Sequence, residues 1–242
     1  SSIRGVQGRD APGANLIKSE APALKTMLFL YNPTAGKGRV TADLAAVLDV
    51  FTKAGYLTTV YPTQGKADAT RIAAELGGQF DRVVCSGGDG TLSETVSGLM
   101  QLDHPPVLGY IPFGSTNDCA TTLRLPRDPV KAAQTASETG VPRPWDIGRL
   151  NGRPFVYVAA FGAFTEVSYD TPQDLKNTFG HLAYVMAGIA SLPSITPYHL
   201  RIECDDQVLE DDFFYGMVCN TISVGGMKAL PTDRVVLDDG LF

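Results

Sequence analysis

The chain has 242 residues, enough for one large domain or two small ones, and its 44% hydrophobic and 19% charged residues support a sizeable core and exclude wholesale disorder. The formal net charge of −6 argues against nucleic acid as the main partner, while leaving room for a local basic patch at a membrane surface.

Residues 1–23, rich in Gly, Ser, Ala and Pro with mixed charge, read as a flexible leader. From Lys25 onward, strand-like and helix-like patterns alternate. Met27 to Tyr31 predicts a strand, and Val40 to Lys53 a helix stopped at Gly55. Tyr56 to Tyr61 and Ala67 to Leu76 repeat the pair, followed by a strand over Arg82 to Cys85 and a helix over Thr91 to Met100. Val107 to Ile111 is a strand, Thr116 to Thr122 a short helix, and Asp128 to Glu138 a helix with Pro129 in its first turn. After Pro144 the character changes. Trp145 to Leu150, Asn151-Gly152 and Arg153 to Ala160 read as a β-hairpin. Helices are expected around Gln173–Phe179 and His181–Leu192, the second as core, an acyl pocket or a dimer face. Strands are expected over Tyr198–Cys204, Gln207–Glu210, Phe213–Cys219 and Arg234–Phe242. This gives a leader (1–23), an α/β unit (24–146) and a β-rich unit (147–242). Four β-α units imply a parallel sheet with helices on both faces, and ligands bind off the carboxyl ends of such strands.

Four loops, at 32–38, 62–66, 86–90 and 112–118, leave that edge and converge on one crevice. In Ser86-Gly87-Gly88-Asp89-Gly90-Thr91-Leu92-Ser93-Glu94, three glycines permit φ > 0 and close ligand approach, more than turn geometry requires. Thr91 and Glu94 have the spacing of a capping box, and bare helix-start amides with Asp89 beside them point to phosphate arriving with Mg²⁺. The loop Asn32-Pro33-Thr34-Ala35-Gly36-Lys37-Gly38-Arg39 lacks P-loop spacing; it is either a phosphate contact or an ordinary β-α turn. In Gly114-Ser115-Thr116-Asn117-Asp118, Ser115 and Asn117 suit helix capping, but Asp118 is less easily explained that way. Asp146, within the apolar Trp145-Asp146-Ile147-Gly148, needs either a backbone partner or an Mg²⁺–water network.

The four scattered cysteines form no C-x-x-C pair, and His104, His181 and His199 lack ligand spacing, so neither a disulfide framework nor a zinc site is expected. The longest apolar run, Phe155 to Phe164, holds ten residues, about half of the roughly 20 that span a bilayer, and residues 1–23 have no signal-peptide core. The chain therefore reads as cytoplasmic, with no transmembrane segment and at most peripheral contact with a membrane.

Together, Asn32 to Lys37, Ser86 to Glu94, Gly114 to Asp118 and Trp145 to Gly148 resemble the soluble bacterial diacylglycerol kinases over about residues 26–242. NAD kinases and sphingosine or ceramide kinases share the glycine–Asp turn. The resemblance implies a three-layer α/β nucleotide-binding domain followed by a β-sandwich, with ATP in the cleft between them. The cofactors would be ATP and Mg²⁺, and the acceptor diacylglycerol at a membrane surface; a homodimer is possible. It implies ATP contacts at Asn32, Pro33, Thr34, Ala35, Gly36, Thr63, Gly88, Asp89, Gly90, Thr91, Leu92, Ser93, Glu94 and Ser115. Asp89, Asp118 and Asp146 would hold a water–Mg²⁺ network. A structural Mg²⁺ would sit on the turn Asp238-Asp239-Gly240-Leu241, with the Asp239 side chain and the Val236 and Leu241 carbonyls as ligands. The family's base is an acid in a late Asp-Gly-Glu motif that these residues do not contain, so the chain is expected to bind nucleotide better than it turns over. The alternatives are a kinase of another lipid or of an NAD-like acceptor, and a nucleotide-binding module without catalysis.

Overall fold

The computed structural model describes residues 24–162, 197–204, 207–228 and 236–240. Four parallel strands form the central sheet: β1 (Lys25–Tyr31), β2 (Tyr56–Pro62), β3 (Arg82–Gly87) and β4 (Val107–Pro112), in the order β2-β1-β3-β4. The sheet is covered on both faces, so β1 reads as a continuous apolar run rather than an alternating one, and Met27 to Leu30 are essentially inaccessible. The pleat divides them between two cores. Leu28 and Leu30 join Val83, Cys85, Ile72, Leu92, Val96 and Leu99 beneath α2 (Asp68–Leu76) and α3 (Asp89–Leu99). Met27 and Phe29 join Val47, Phe51, Val84, Ile111 and Ala132 beneath α1 (Arg39–Lys53) and α5 (Pro129–Gln134). The short α4 (Asp118–Thr122) follows β4.

The expected helix over Asp128–Glu138 is instead two segments. Asp128 caps α5 by accepting the Lys131 N–H at 2.9 Å, and the helix then widens into a π turn over Thr135–Thr139, closed by Gly140 N–H to Thr135 O at 3.0 Å.

The expected hairpin at Asn151-Gly152 forms between β5 (Gly148–Leu150) and β6 (Arg153–Phe155). Asn151 and Gly152 take φ of 50° and 78°, the left-handed pair of a type I′ turn. The single strand expected over Arg153–Ala160 is interrupted, because Val156 turns into the core beneath α3. Beyond it, β7 (Val158–Gly162) pairs with β10 (Tyr215–Cys219). Two further antiparallel pairs are β8 (Tyr198–Cys204) with β9 (Gln207–Phe213), and β11 (Ser223–Val224) with β12 (Met227–Lys228). The strand expected over Arg234–Phe242 is not found at 236–240, where the chain bends. The expected leader and the two helices within 173–192 lie outside the described residues. No helix among the described residues is long and apolar enough to cross a membrane.

Helices α2 and α3 approach closely at Gly98, where a Cβ would lie 2.3 Å from Thr70 O and 2.7 Å from Ala73 Cβ. Gly98→Ala is therefore expected to destabilise the protein by about 1–3 kcal/mol in chemical denaturation, outweighing a helix-propensity gain of about 1 kcal/mol. A variant as stable as the parent would contradict this packing.

Candidate functional site

The loops after β1, β2 and β4 each begin with an amide bonded to the end of a neighbouring strand at the carboxyl edge of the sheet. Asn32 N–H donates to Ser86 O at 2.9 Å, Thr63 N–H to Tyr31 O at 2.9 Å, and Phe113 N–H to Gly87 O at 2.7 Å. Gly88 and Gly114 lie backbone to backbone: a Cβ on Gly114 would stand 2.6 Å from Gly88 Cα, and one on Gly87 2.4 Å from Thr91 Oγ1. None of Gly87, Gly88 and Gly90 has positive φ, and Gly88 is extended, so the φ > 0 that these glycines permit is not used. The first two glycines serve close approach within the protein. Gly90 differs, because a Cβ there would meet nothing within 4 Å.

Gly90 opens onto a cleft of about 990 Å³. Of the residues singled out from sequence, Asn32, Thr34, Ala35, Gly36, Thr63, Gly88, Gly90, Thr91, Glu94 and Ser115 line it. Gln64, Gly65, Lys66, Ala69 and Gly114 complete the wall. The strand–loop–helix pattern over 62–66 signals that loop in the sequence, but not which of its residues face inward. Pro33, Asp89, Leu92 and Ser93 are not on the wall, and the Leu92 side chain is fully buried in the core. At the start of α3, the amides of Asp89, Gly90 and Thr91 precede the first residue able to bond back within the helix, Leu92 N–H to Gly88 O at 3.1 Å.

The expected capping box does not form. Gly88 occupies the N-cap, and Glu94 reaches across to accept the N–H of Ala67, the N-cap residue of α2, at 2.9 Å. Asp68 accepts the Gln64 N–H at 2.8 Å and pairs with Arg71 at 2.8 Å. The Gln64 amide above all holds the Asp68 carboxyl below its usual range, and the contact fixes the rim loop. Asn32 Oδ1 accepts both Thr34 N–H (3.0 Å) and Thr34 Oγ1 (2.8 Å), shaping the first loop.

Asp89 and Asp118 are linked behind this wall, whereas Asp146 makes its bonds to Asn220 and the 237–240 segment. Asp89 accepts the N–H of Asp118 and of Cys119, each at 3.0 Å, and Thr116 Oγ1 at 3.3 Å. Asp118, 2% exposed, accepts Ser223 Oγ, Gly225 N–H at 2.7 Å and Gly226 N–H at 3.0 Å. Asp146 accepts Gly240 N–H at 2.6 Å and donates its own N–H to Leu237 O at 2.6 Å, while Asn220 Nδ2 donates to its carbonyl at 2.6 Å. Sequence reasoning picked out the acids but missed Ser223, Gly225 and Gly226. The Gly-Gly turn was visible, but nothing local announces a partner over a hundred residues away. Amides and hydroxyls occupy about three of the four acceptor positions on each of the Asp89 and Asp118 carboxylates. No group of three metal-ligating side chains occurs among the described residues. On the candidate metal turn, Val236 and Asp239 are exposed, Gly240 takes φ 77°, and Leu241 lies outside the described residues.

The diacylglycerol kinase catalytic-domain family profile matches residues 26–150. The chain is 41% identical over 220 residues to the diacylglycerol kinase of Bacillus subtilis (strain 168), covering 90% of this chain and 72% of that protein. It is 39% identical over 219 residues to the Staphylococcus saprophyticus diacylglycerol kinase, with 90% and 71% covered. A solved diacylglycerol kinase from Bacillus anthracis superposes with a TM-score of 0.73 at 28% identity, over 91% of this chain and 72% of that one.

Two thiols lie close to the site. Burial pushes Cys85 up to about 12, and burial followed by the nearby Asp89 carboxylate pushes Cys119 higher still. Both remain neutral and inaccessible, so a maleimide or disulfide reagent at pH 8 is expected to modify them only on unfolding, as read by peptide mass spectrometry. Rapid labelling of either in the folded protein would contradict the packing around Asp89.

Proposed function

Since the chain belongs to the diacylglycerol kinase catalytic-domain family and is a lipid kinase, we propose that it transfers the γ-phosphoryl group of ATP to the primary hydroxyl of diacylglycerol, giving phosphatidic acid. The observation that carries this reading is the first turn of α3. Its bare amides and the sterically open Gly90 face a cleft walled largely by loop backbone. Such a surface suits a polyphosphate, which needs amide donors and close approach rather than a shaped apolar pocket.

In this reading, Asn32 to Gly36, Thr63, Gly88 to Glu94 and Ser115 hold the nucleotide, with Leu92 contributing backbone alone, and Lys66 adds positive charge at the wall. Phosphoryl transfer asks mainly for positioning and for donors where charge develops, and pre-set backbone amides supply both. Asp89, Asp118 and Asp146 keep the loops in register. A magnesium ion entering with the nucleotide would meet these acids through water. A structural ion at Asp239, with the Val236 and Leu241 carbonyls, belongs to the same proposal, as does the division into a nucleotide-binding unit (24–146) and a β-rich unit (147–242). The lipid acceptor further implies peripheral contact with a membrane from the cytoplasm.

Gly90→Leu tests the cleft. The new side chain would enter the cleft from a Cβ with nothing within 4 Å, so affinity for a non-hydrolysable ATP analogue, measured by calorimetry, is expected to fall about tenfold or more, equivalent to about 1.4 kcal/mol. The thermal midpoint should stay near that of the parent. Unchanged affinity would overturn the placement of the phosphates.

A further inference from the structure

We propose that Asp118 is a positioning residue whose carboxylate couples the nucleotide cleft to the β11–β12 turn. Three observations carry this. First, the turn is built to present donors. Gly225 and Gly226 take φ of 62° and 82°, which side chains rarely adopt, and both amides point at Asp118. Second, the surrounding stretch is buried and polar. Asn220, Thr221 and Ser223 are at most 3% exposed, and each is satisfied: Thr221 Oγ1 donates to Ser223 O at 2.7 Å, while Ile222 N–H donates to Thr122 Oγ1 at 3.2 Å. The stretch is thus fastened to α4 by polar bonds in which Asp118 is the charged member. Third, the Asp118 backbone is itself held by Asp89 in the first turn of α3, beside the cleft.

The same residue is therefore gripped from the cleft side and grips the β side. A nucleotide phosphate that steadies the start of α3 steadies Asp89, then α4, then the β11–β12 turn. Asparagine at 118 keeps the shape but replaces an acceptor oxygen with an NH₂ group, setting donor against donor at Gly225 or Gly226.

Hydrogen exchange on the whole protein tests this in two arms. Without nucleotide, Asp118→Asn is expected to speed exchange of the Gly225 and Gly226 amides about tenfold or more, the effect of losing bonds to a charged acceptor. Ser223→Ala is expected to act in the same direction but less, and carries this arm should Asp118→Asn fail to fold. The second arm rests on the ATP reading. A non-hydrolysable ATP analogue, saturating for each protein, should slow exchange at Gly225 and Gly226 in the parent but not in Asp118→Asn. Unaltered exchange at both glycines in the variants overturns the latch. Nucleotide-dependent slowing that survives in Asp118→Asn, or is missing from a nucleotide-bound parent, overturns the coupling. If the parent binds no analogue, the ATP reading fails, while the first arm still decides the latch.

Discussion

The carboxylate of Asp89 joins loops that leave two neighbouring strands. Taking an ion out of water costs several kcal/mol unless each oxygen is met, and here two backbone amides and a hydroxyl meet them. That pairing pins the Ser115–Asp118 segment against the start of α3. It also draws Gly88 and Gly114 to a separation that no side chain could share. The floor of the cleft follows from this contact. So does the environment of Tyr110, whose phenol donates to Gly87 O at 3.1 Å and is held far above its usual range by burial and then by Asp89.

Charge in this site is arranged at two depths. At the surface of the cleft stand small residues, Lys66 and the Glu94 carboxylate, the wall that receives the nucleotide in the proposed reading. Behind it stand carboxylates already satisfied by the protein's own donors. The inner layer is structural first: it sets where the outer layer lies. A lipid kinase needs that precision, because an in-line transfer tolerates little error in the placement of the phosphate.

Much of this was legible in the sequence, and the failures have physical causes. The β-α alternation, the sheet edge and most of the cleft wall follow from apolar periodicity and from loops at predictable strand ends. Asn151-Gly152 announced its turn because few other pairs accept two left-handed residues. Local readings failed where a distant partner took over. Glu94 looked like the second half of a capping box, yet its carboxylate serves Ala67 on a neighbouring helix. Gly87 looked like a ligand-binding glycine, yet the close approach of Thr91 explains it. The strand over Arg153–Ala160 broke at Val156 because the core beneath α3 offered that side chain a better place than the sheet. The grip of Asp118 on Ser223, Gly225 and Gly226 had no local signature at all.

The central claim is that the first turn of α3 is the phosphate-binding element. Backbone amide NMR of the isotope-labelled protein, titrated with a non-hydrolysable ATP analogue, addresses it residue by residue. The largest shift changes are predicted at Asp89, Gly90 and Thr91, with smaller ones at Thr34 to Gly36 and Ser115. Saturable binding that leaves the α3 amides unmoved, with its largest shifts elsewhere, would contradict the claim.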